Sequence, residues 1–499
     1  MSELINDHVE RENPLKAEKR KKLTELREKG INPFPYAFER SIDATEARKK
    51  YEALQNGEAA KDQKVTMAGR LITKRPMGKA AFFTFQDQEG TFQAYIRVQE
   101  LSPEDAISWD YIDIGDIVGL TGFVFRTQKG ELSIHCEKFQ ILTKTLEPLP
   151  DKYHGLVDTD LRYRYRHLDL IMSPETKKVF QTRTKIIKAI RKFLDDRGFM
   201  EVETPILQPV YGGAAAEPFT THHNALDMKL YMKISPELYL KKLIVGGFDK
   251  VYDLNKNFRN EGIDRSHNPE FSMIEWYEAY TDYNYQMTQF EELVSFLAKE
   301  ITGSYKVQYQ GKEIDFTTPW KRLSVYDAIK EYGKVDVEKL SSAELFDQLK
   351  KSGSDRKGPA SKGEMAAELF ELVAEEHLWN PIFITDHPVE ISPLTKKHRT
   401  KAGLVERFEP FAACMEIGNS YSELNDPEEQ RSRLEEQDKQ RAHNKEAHPM
   451  DEDFLHAIDV GMPPTGGVGL GIERIVMILT DQASIRDIIF FPTMKIKND

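Results

Sequence analysis

The sequence predicts an α+β protein of more than one domain. An N-terminal OB-type β-barrel should precede a larger domain built on an antiparallel sheet with flanking helices. Three observations carry this. Residues 64–143 hold five short alternating runs, separated by turn signals at Gln88-Glu89-Gly90 and Gln128-Lys129-Gly130. Residues 251–277 hold two alternating runs on either side of a polar loop. Elsewhere, apolar residues three and four apart mark helices, most clearly after Ser173-Pro174-Glu175.

At 499 residues the chain exceeds what one core holds, and 39% hydrophobic residues are ample for globular packing. A net charge of −12 excludes a global basic field, so contact with nucleic acid must use local basic faces. Cys136 and Cys414 lack paired spacing. That argues against a disulfide framework or a cysteine zinc site and fits a reducing, cytoplasmic setting. No apolar run reaches about 18 residues, so no membrane span is expected. The N-terminal residues lack the apolar stretch of a signal peptide.

Residues 1–60 read as a helical extension. Within it, 14–30 predicts a helix crowded with Lys16, Lys19, Arg20, Lys21, Lys22 and Arg27 and ended by Gly30. Such a face is either merely solvated or contacts nucleic-acid phosphates. Residues 61–147 form the barrel. Lys74, Arg75 and Lys79 surround a turn at Gly78, and Phe82, Phe85, Phe92 and Tyr95 follow. Alternation sends half of those aromatics inward, so composition leaves the binding face open. Residues 148–172 read as a linker or interface, with Arg162–His167 too charged for a core.

The large domain spans 173–499. Its first helix runs to Gly198, and Phe199 to Ile206 reads as a short strand containing Pro205. Gly212-Gly213 allows close backbone approach to a ligand. His222-His223 would point to opposite faces of a strand, which argues against zinc. Ser235-Pro236-Glu237 opens a helix over 236–246. The pair at 251–277 puts Arg259, Glu261, Phe271 and Glu275 on one face. Residues 303–378 read as an insertion with helices at about 342–351 and 363–377. Glu409 and Glu416 sit in an apolar frame, seven apart, so a bulge or bend is needed for both to reach one ion. Glycines 467, 469 and 471 clear one face of a strand for a flat ring, and Arg474 stands where a helix dipole disfavours it.

Phe258-Arg259-x-Glu261 with His267-Asn268-Pro269-Glu270-Phe271 resembles motif 2 of the class II aminoacyl-tRNA synthetases. Gly198-Phe-Met-Glu-Val-Glu-Thr-Pro-Ile-Leu207 resembles motif 1, and Gly467-Val-Gly-Leu-Gly-Ile-Glu-Arg474 resembles motif 3. Ala68–Asp87 resembles the anticodon-binding barrel of class IIb, and Pro388–Arg399 a loop of its lysine-type members. The resemblance implies ATP-dependent ligation of L-lysine to tRNA(Lys) through lysyl-adenylate, with Mg²⁺, in a homodimer joined through the motif 1 region. It implies that Arg259 and Arg474 are catalytic. Gly213, Glu237, Arg259, Glu275, Tyr277, Asn419, Tyr421 and Glu423 would hold lysine. Arg259, Glu261, His267, Phe271, Glu409, Glu416, Gly471 and Arg474 would hold ATP, with Glu409 and Glu416 as metal ligands. Arg75, Phe82 and Gln93, with Glu131 as a weaker candidate, would meet the anticodon. Where the family commonly writes Arg-Pro-Phe, this chain has Glu217-Pro218-Phe219, a departure that places an acid where the family's basic residue stands. The acidic set favours lysine over an aspartyl- or asparaginyl-type substrate. The barrel argues against a paralogue that lysylates a translation factor. The intact arginines and glutamates argue against a non-catalytic RNA-binding protein.

Overall fold

A computed structural model describes residues 13–150, 156, 158–358, 360–441 and 447–496. The chain forms two compact units that divide between residues 158 and 159.

In the first unit, helix α1 (Pro14–Glu28) and α2 (Ala44–Lys50) precede the barrel. Asn13 caps α1, and Asp43 with Glu46 forms a capping box on α2. Strands β1 (Ala59–Met77), β2 (Ala80–Gln86), β3 (Thr91–Arg97), β4 (Ile117–Arg126) and β5 (Leu132–Thr143) close in the order β1-β2-β3-β5-β4. Helix α3 (Pro103–Asp110) lies between β3 and β4 in sequence. Phe85 and Phe92 point into the core, whereas Phe82 and Tyr95 are only half-buried. Not all of the basic face of α1 is free for phosphates. Lys19 Nζ donates to the Ile114 carbonyl at 3.2 Å and to Thr145 Oγ1 at 3.0 Å, and Lys22 pairs with Asp113 at 2.5 Å. Those two residues dock the helix on the barrel.

The second unit opens with α4 (Thr159–Arg164), α5 (Arg166–Met172) and α6 (Pro174–Asp195). The charged run 162–167 was expected outside any core, but Arg166 is fully buried. Its guanidinium reaches Asp169 at 2.6 Å and the carbonyls of Arg486 and Phe490 at 2.8 and 3.0 Å. Burial is tolerated because these donors are satisfied.

The predicted strand 199–206 shortens to β6 (Met200–Glu201), parallel to Val251-Tyr252. The chain leaves the ladder because Pro205 has no N–H and because Thr204 turns to Asp253. Thr204 Oγ1 donates to Asp253 Oδ2 at 2.6 Å, and buried Lys233 donates to the same oxygen at 2.9 Å. A small sheet follows, from β7 (Leu207–Gln208), β8 (Thr220–His223) and β9 (Met228–Met232). His222 and His223 lie exposed on β8, and His222 faces Asp227 at 3.2 Å. Helix α7 (Glu237–Val245) comes next.

Among the described residues the main sheet has nine strands. β10 (Lys250–Phe258) and β11 (Glu270–Ala279) are the antiparallel pair predicted at 251–277. After α8 (Tyr283–Thr302) comes a hairpin, β12 (Lys306–Tyr309) and β13 (Lys312–Asp315). The stretch 303–378 is not a detached insertion. Its β14 (Lys321–Ser324) pairs in parallel with β15 (Ile382–Thr385) at the sheet edge. Between them, α9 (Val325–Gly333), α10 (Ser342–Lys351) and α11 (Lys362–Val373) share a core of Ile329, Leu345, Leu369 and Phe370. β16 (Arg407–Ala412), β17 (Met415–Glu416), β18 (Gly418–Ser422), α12 (Pro427–Gln440), α13 (Glu452–Val460), β19 (Thr465–Gly471), α14 (Ile472–Leu479) and the short α15 (Ile485–Ile488) follow.

One face of this sheet carries the main core. Ile274, Trp276, Phe408, Val468 and Leu470 pack against α8 and α14 through Phe290, Leu293, Ile475 and Val476. Because strands alternate, the residues between them face the other way. Phe271, Met273, Glu275 and Tyr277 of β11 line a cavity of about 370 Å³ on that side.

Candidate active site

The floor of the cavity is a row of glycines flanked by polar side chains. β11, β19 and β18 are antiparallel neighbours, so their residues align in rows. Glu275 pairs with Gly469 and Gly469 with Asn419, while Tyr277 pairs with Gly467 and Gly467 with Tyr421. The third row is Met273 with Gly471. A side chain at Gly467 would place Cβ 2.0 Å from Glu423 Oε1 and 2.4 Å from Tyr277 Cε1. That position is glycine because functional groups occupy the space above it.

The carboxylates gather at one end. Glu237, Glu275 and Glu423 are all buried. Ser235 Oγ donates to Glu275 Oε1 at 2.8 Å, and the Tyr277 hydroxyl to Oε2 at 3.1 Å. Tyr421 Oη donates to Glu237 Oε2 at 2.5 Å. Gly213 closes this end in the left-handed region, φ 84°, where a Cβ would lie 2.8 Å from Glu237 Cβ and Ser235 Oγ. Burial and the neighbouring Glu237 push the Glu275 carboxyl up to about 8. Burial also raises the Glu423 carboxyl well above the usual range, opposed by Lys241.

The cationic end lies beyond Met273. Arg259 follows β10, and its backbone N–H donates to the Pro269 carbonyl at 2.9 Å. Its guanidinium lies over the Phe271 ring, 5.2 Å from the centroid, and its buried Nε finds no acceptor among the described residues. Such an orphan donor in a cleft is poised for a ligand oxygen. Arg474 turns back from the first turn of α14 to the Glu416 carbonyl, and its Nη2 lies 3.4 Å from His267 Nε2. His267 is held in turn, with Nδ1 2.8 Å from Asp264 Oδ2. That contact and two backbone N–H donors pull the half-exposed Asp264 carboxyl down to about 2, against a burial effect in the other direction. Glu261 and Gly471 complete this rim.

Glu409 and Glu416 share one face through a hairpin rather than a bulge. The chain reverses at Ala413-Cys414, both with positive φ (54° and 57°), and Glu416 pairs with Phe411 across the turn. Glu409 lies two residues from Phe411 on the same strand, so both carboxylates point the same way. Enclosure and the like charge of Glu409 raise the Glu416 carboxyl. Among the described residues no group of three or more metal-binding side chains gathers. The backbone of Glu217 accepts from Asn260 N–H at 2.8 Å, which ties this segment to the Arg259 loop without a basic group.

The structure therefore brings together Gly213, Glu237, Arg259, Glu261, His267, Phe271, Glu275, Tyr277, Glu409, Glu416, Asn419, Tyr421, Gly471 and Arg474 around one cavity, with the Glu423 carboxylate over Gly467. Arg75, Phe82 and Gln93 belong to the barrel unit. Arg75, Phe82 and Tyr95 align across β1, β2 and β3, and the Phe82 and Tyr95 rings stand 4.9 Å apart. Gln93 Oε1 accepts from Ser133 Oγ at 2.8 Å, and Glu131 is exposed.

Sequence reasoning missed three contributors. Arg407 spans the floor, donating to Asn419 Oδ1 at 3.0 Å and to Glu409 Oε1 at 2.6 Å. Glu473 accepts the Ser272 N–H at 3.0 Å and pairs with Arg183 at 2.8 Å, which anchors the start of α14 against β11. Lys241 lies buried between Glu237 and Glu423. Glu237 and Lys241, four apart, read as an ordinary surface helix pair. Only the flanking apolar Leu240 and Ile244 signal that this face points inward.

Comparison with known proteins agrees with this geometry. The profile described as tRNA synthetases class II (D, K and N) matches residues 158–495, and that of the OB-fold nucleic acid binding domain matches 65–142. The lysine–tRNA ligase of Thermoanaerobacter sp. (strain X514) is 49% identical over 498 residues, 99% of both chains. That of Clostridium novyi (strain NT) is 50% identical, covering 97% of this chain and 95% of its own. That of Moorella thermoacetica is 50% identical, covering 98% and 100%. With its motif residues around one cavity and an OB barrel ahead of them, the chain belongs to the class II tRNA synthetase family (D, K and N).

Proposed function

We infer that the protein activates L-lysine with ATP and transfers it to tRNA(Lys). The observation that carries this is the placement of buried Glu237 and Glu275, with buried Glu423 over Gly467, at one end of a cavity whose other end presents Arg259 and Arg474. An amino acid with two ammonium groups matches the first end, and a nucleotide's phosphates match the second. Relatives about half identical over their whole length bear the name lysine–tRNA ligase.

Glu237 and the Gly213 backbone receive the α-ammonium. Glu275, Tyr277 and Glu423 receive the ε-ammonium, and Asn419 and Tyr421 close the wall. Arg259 holds the lysine carboxylate against the α-phosphate, while Phe271, Glu261, His267, Gly471 and Arg474 seat the nucleotide. A carboxylate oxygen then attacks the α-phosphorus, and the bond to the β-phosphate oxygen breaks, leaving lysyl-adenylate and pyrophosphate. The nucleophile is already anionic, so no base is needed. The chain contributes alignment and charge. Glu409 and Glu416 would hold Mg²⁺, because their carboxylates share one face and line the cavity near Arg259 and Arg474. An ion held there would supply charge neutralisation at the phosphates. The terminal ribose of tRNA then attacks the adenylate carbonyl and AMP departs.

ATP–pyrophosphate exchange with each amino acid tests the reading. Lysine alone should support exchange. If aspartate or asparagine does so instead, the assignment fails. The pH dependence is specific. Below about 8 Glu275 is protonated in the empty site, and binding an ammonium beside it expels that proton. Lysine affinity therefore improves as pH rises. KM for lysine should fall about tenfold from pH 6 to 7 and level off above about 8. A flat KM between pH 6 and 8 would remove Glu275 from the ammonium site.

In the barrel, Phe82 with Arg75 and Gln93 offers a stacking ring beside polar edges for anticodon bases. Phe82→Ala should raise KM for tRNA about tenfold, equivalent to 1–3 kcal/mol per stacked base, and leave exchange unchanged. Loss of exchange would show instead that the ring matters to the fold. A homodimer through the motif 1 region is supported by exposed Met200, Ile206 and Leu207 beside α6. Light scattering at 57.6 kDa, the mass of one chain, would exclude it. No described helix is long and apolar enough to cross a membrane. A reducing cytosol suits two unpaired cysteines.

A further inference from the structure

The charges of the amino-acid pocket do not balance through the expected residues alone. Glu237, Glu275 and Glu423 supply three carboxylates, whereas lysine brings two ammonium groups. Lys241 stands one turn along α7 from Glu237 with its side chain wholly buried. Its Nζ is 2.5 Å from Glu237 Oε1 and lies against Glu423 Oε2. The Tyr421 and Phe454 rings flank it at 5.6 and 5.8 Å. From the segment before α13, buried His448 adds no charge, because burial and Lys241 push it down to about 4.

We propose that Lys241 is a positioning and specificity-determining residue. It acts as a fixed internal counter-ion that ties Glu237 to Glu423 and sets the empty pocket to accept two ammonium groups, neither one nor three. The proposal rests on the lysine reading given above. Three buried carboxylates with no resident cation cannot all stay ionised, since each costs several kcal/mol to desolvate. One or two would take up protons and lose their hold on an ammonium. Lys241 holds both Glu237 and Glu423 through the same atom before substrate arrives, and its charge opposes the burial that raises the Glu423 carboxyl. The α-amino and ε-amino subsites are thereby fixed relative to each other. Lys241 itself meets no substrate atom. Its effect reaches lysine only through the two glutamates.

Two variants separate charge from packing and from hydrogen bonding. Lys241→Met retains length without charge, and Lys241→Gln retains a donor without charge. In lysine-dependent exchange at pH 7.5, both should raise KM for lysine at least tenfold while KM for ATP stays within twofold. A wild-type lysine KM in the Gln variant overturns the proposal, and so does an equal rise for lysine and ATP, which would mark a general collapse of the site. A measurement on the unmodified protein stands even if both variants misfold. Calorimetry of lysine binding at pH 7, in buffers of different ionisation enthalpy, should show fewer than three protons released per lysine, because the Lys241 ammonium balances one of the three carboxylates. Release of three would mean that Lys241 balances none of them, contrary to the proposal. Absence of lysine-dependent exchange in the unmodified protein would sink the substrate reading itself. Normal exchange with unaffected variants sinks only the role of Lys241.

Discussion

Arg259→Ala lowers kcat/KM for lysine-dependent exchange by about a thousandfold, the scale expected when a preorganised donor to developing charge is lost. The guanidinium is placed in the cavity by two features that the substitution leaves almost intact. The backbone of Arg259 is pinned to Pro269, and β10 and β11 pair in register from Lys250 to Phe258. Besides its charge attraction to Glu261, Glu416 and Glu275, the guanidinium loses the contact over the Phe271 ring, worth about 0.5–1 kcal/mol. The melting temperature should thus move little while the reaction stops. Burial already lowers the pKa of this arginine, with Glu261, Glu416 and Glu275 opposing that effect and Arg474 adding to it. A lysine in its place would supply charge but not two donors in a plane, so Arg259→Lys should recover no more than a tenth of the lost rate. Wild-type exchange in Arg259→Ala would remove the residue from the mechanism.

Much of this site was legible because its residues lie on local patterns. The alternation at 251–277 fixes a strand pair, and the period of two then decides which side chains face the ligand. The glycines at 467, 469 and 471 carry the same signal, since nothing but a required clearance places three glycines on one face of a strand. What stayed hidden depends on contacts between distant segments. The turn at Ala413-Cys414 bears no glycine or asparagine, so the hairpin that unites Glu409 with Glu416 had no turn signature. Arg166 looked like surface because its acceptors are carbonyls more than 300 residues away. The strand after Phe199 was overestimated because a buried Lys233–Asp253 pair takes Thr204 out of the ladder. In each case a tertiary polar contact overrode the local preference.

Glu423→Gln should separate stability from function, because the carboxylate proposed to receive lysine is costly to the empty fold. Glu423 is almost wholly buried, and neither of its oxygens accepts a well-formed hydrogen bond among the described residues, although Lys241 lies against one. Its carboxyl is raised above the unfolded value, chiefly by burial, so folding takes up protons there. A carboxyl of that kind makes the folded state less stable as pH rises between its unfolded and folded pKa values. Glutamine has no charge to desolvate and removes the pH-dependent cost. Lys241 retains Glu237 at 2.5 Å, so the substitution does not strand a buried cation. The melting temperature at pH 7.5 should therefore hold or rise. Lysine binding should suffer in the opposite sense, since a buried ammonium loses one of its two carboxylates. Breaking such a pair from one side costs about 3–5 kcal/mol, or about two to four powers of ten in kcat/KM for lysine, with KM for ATP unchanged. A variant that melts well below the wild type and loses lysine and ATP binding together would show that Glu423 builds the pocket rather than reads the substrate. The two-way outcome distinguishes a residue selected for recognition from one selected for packing, because only the former is more costly to the fold when its ligand is missing.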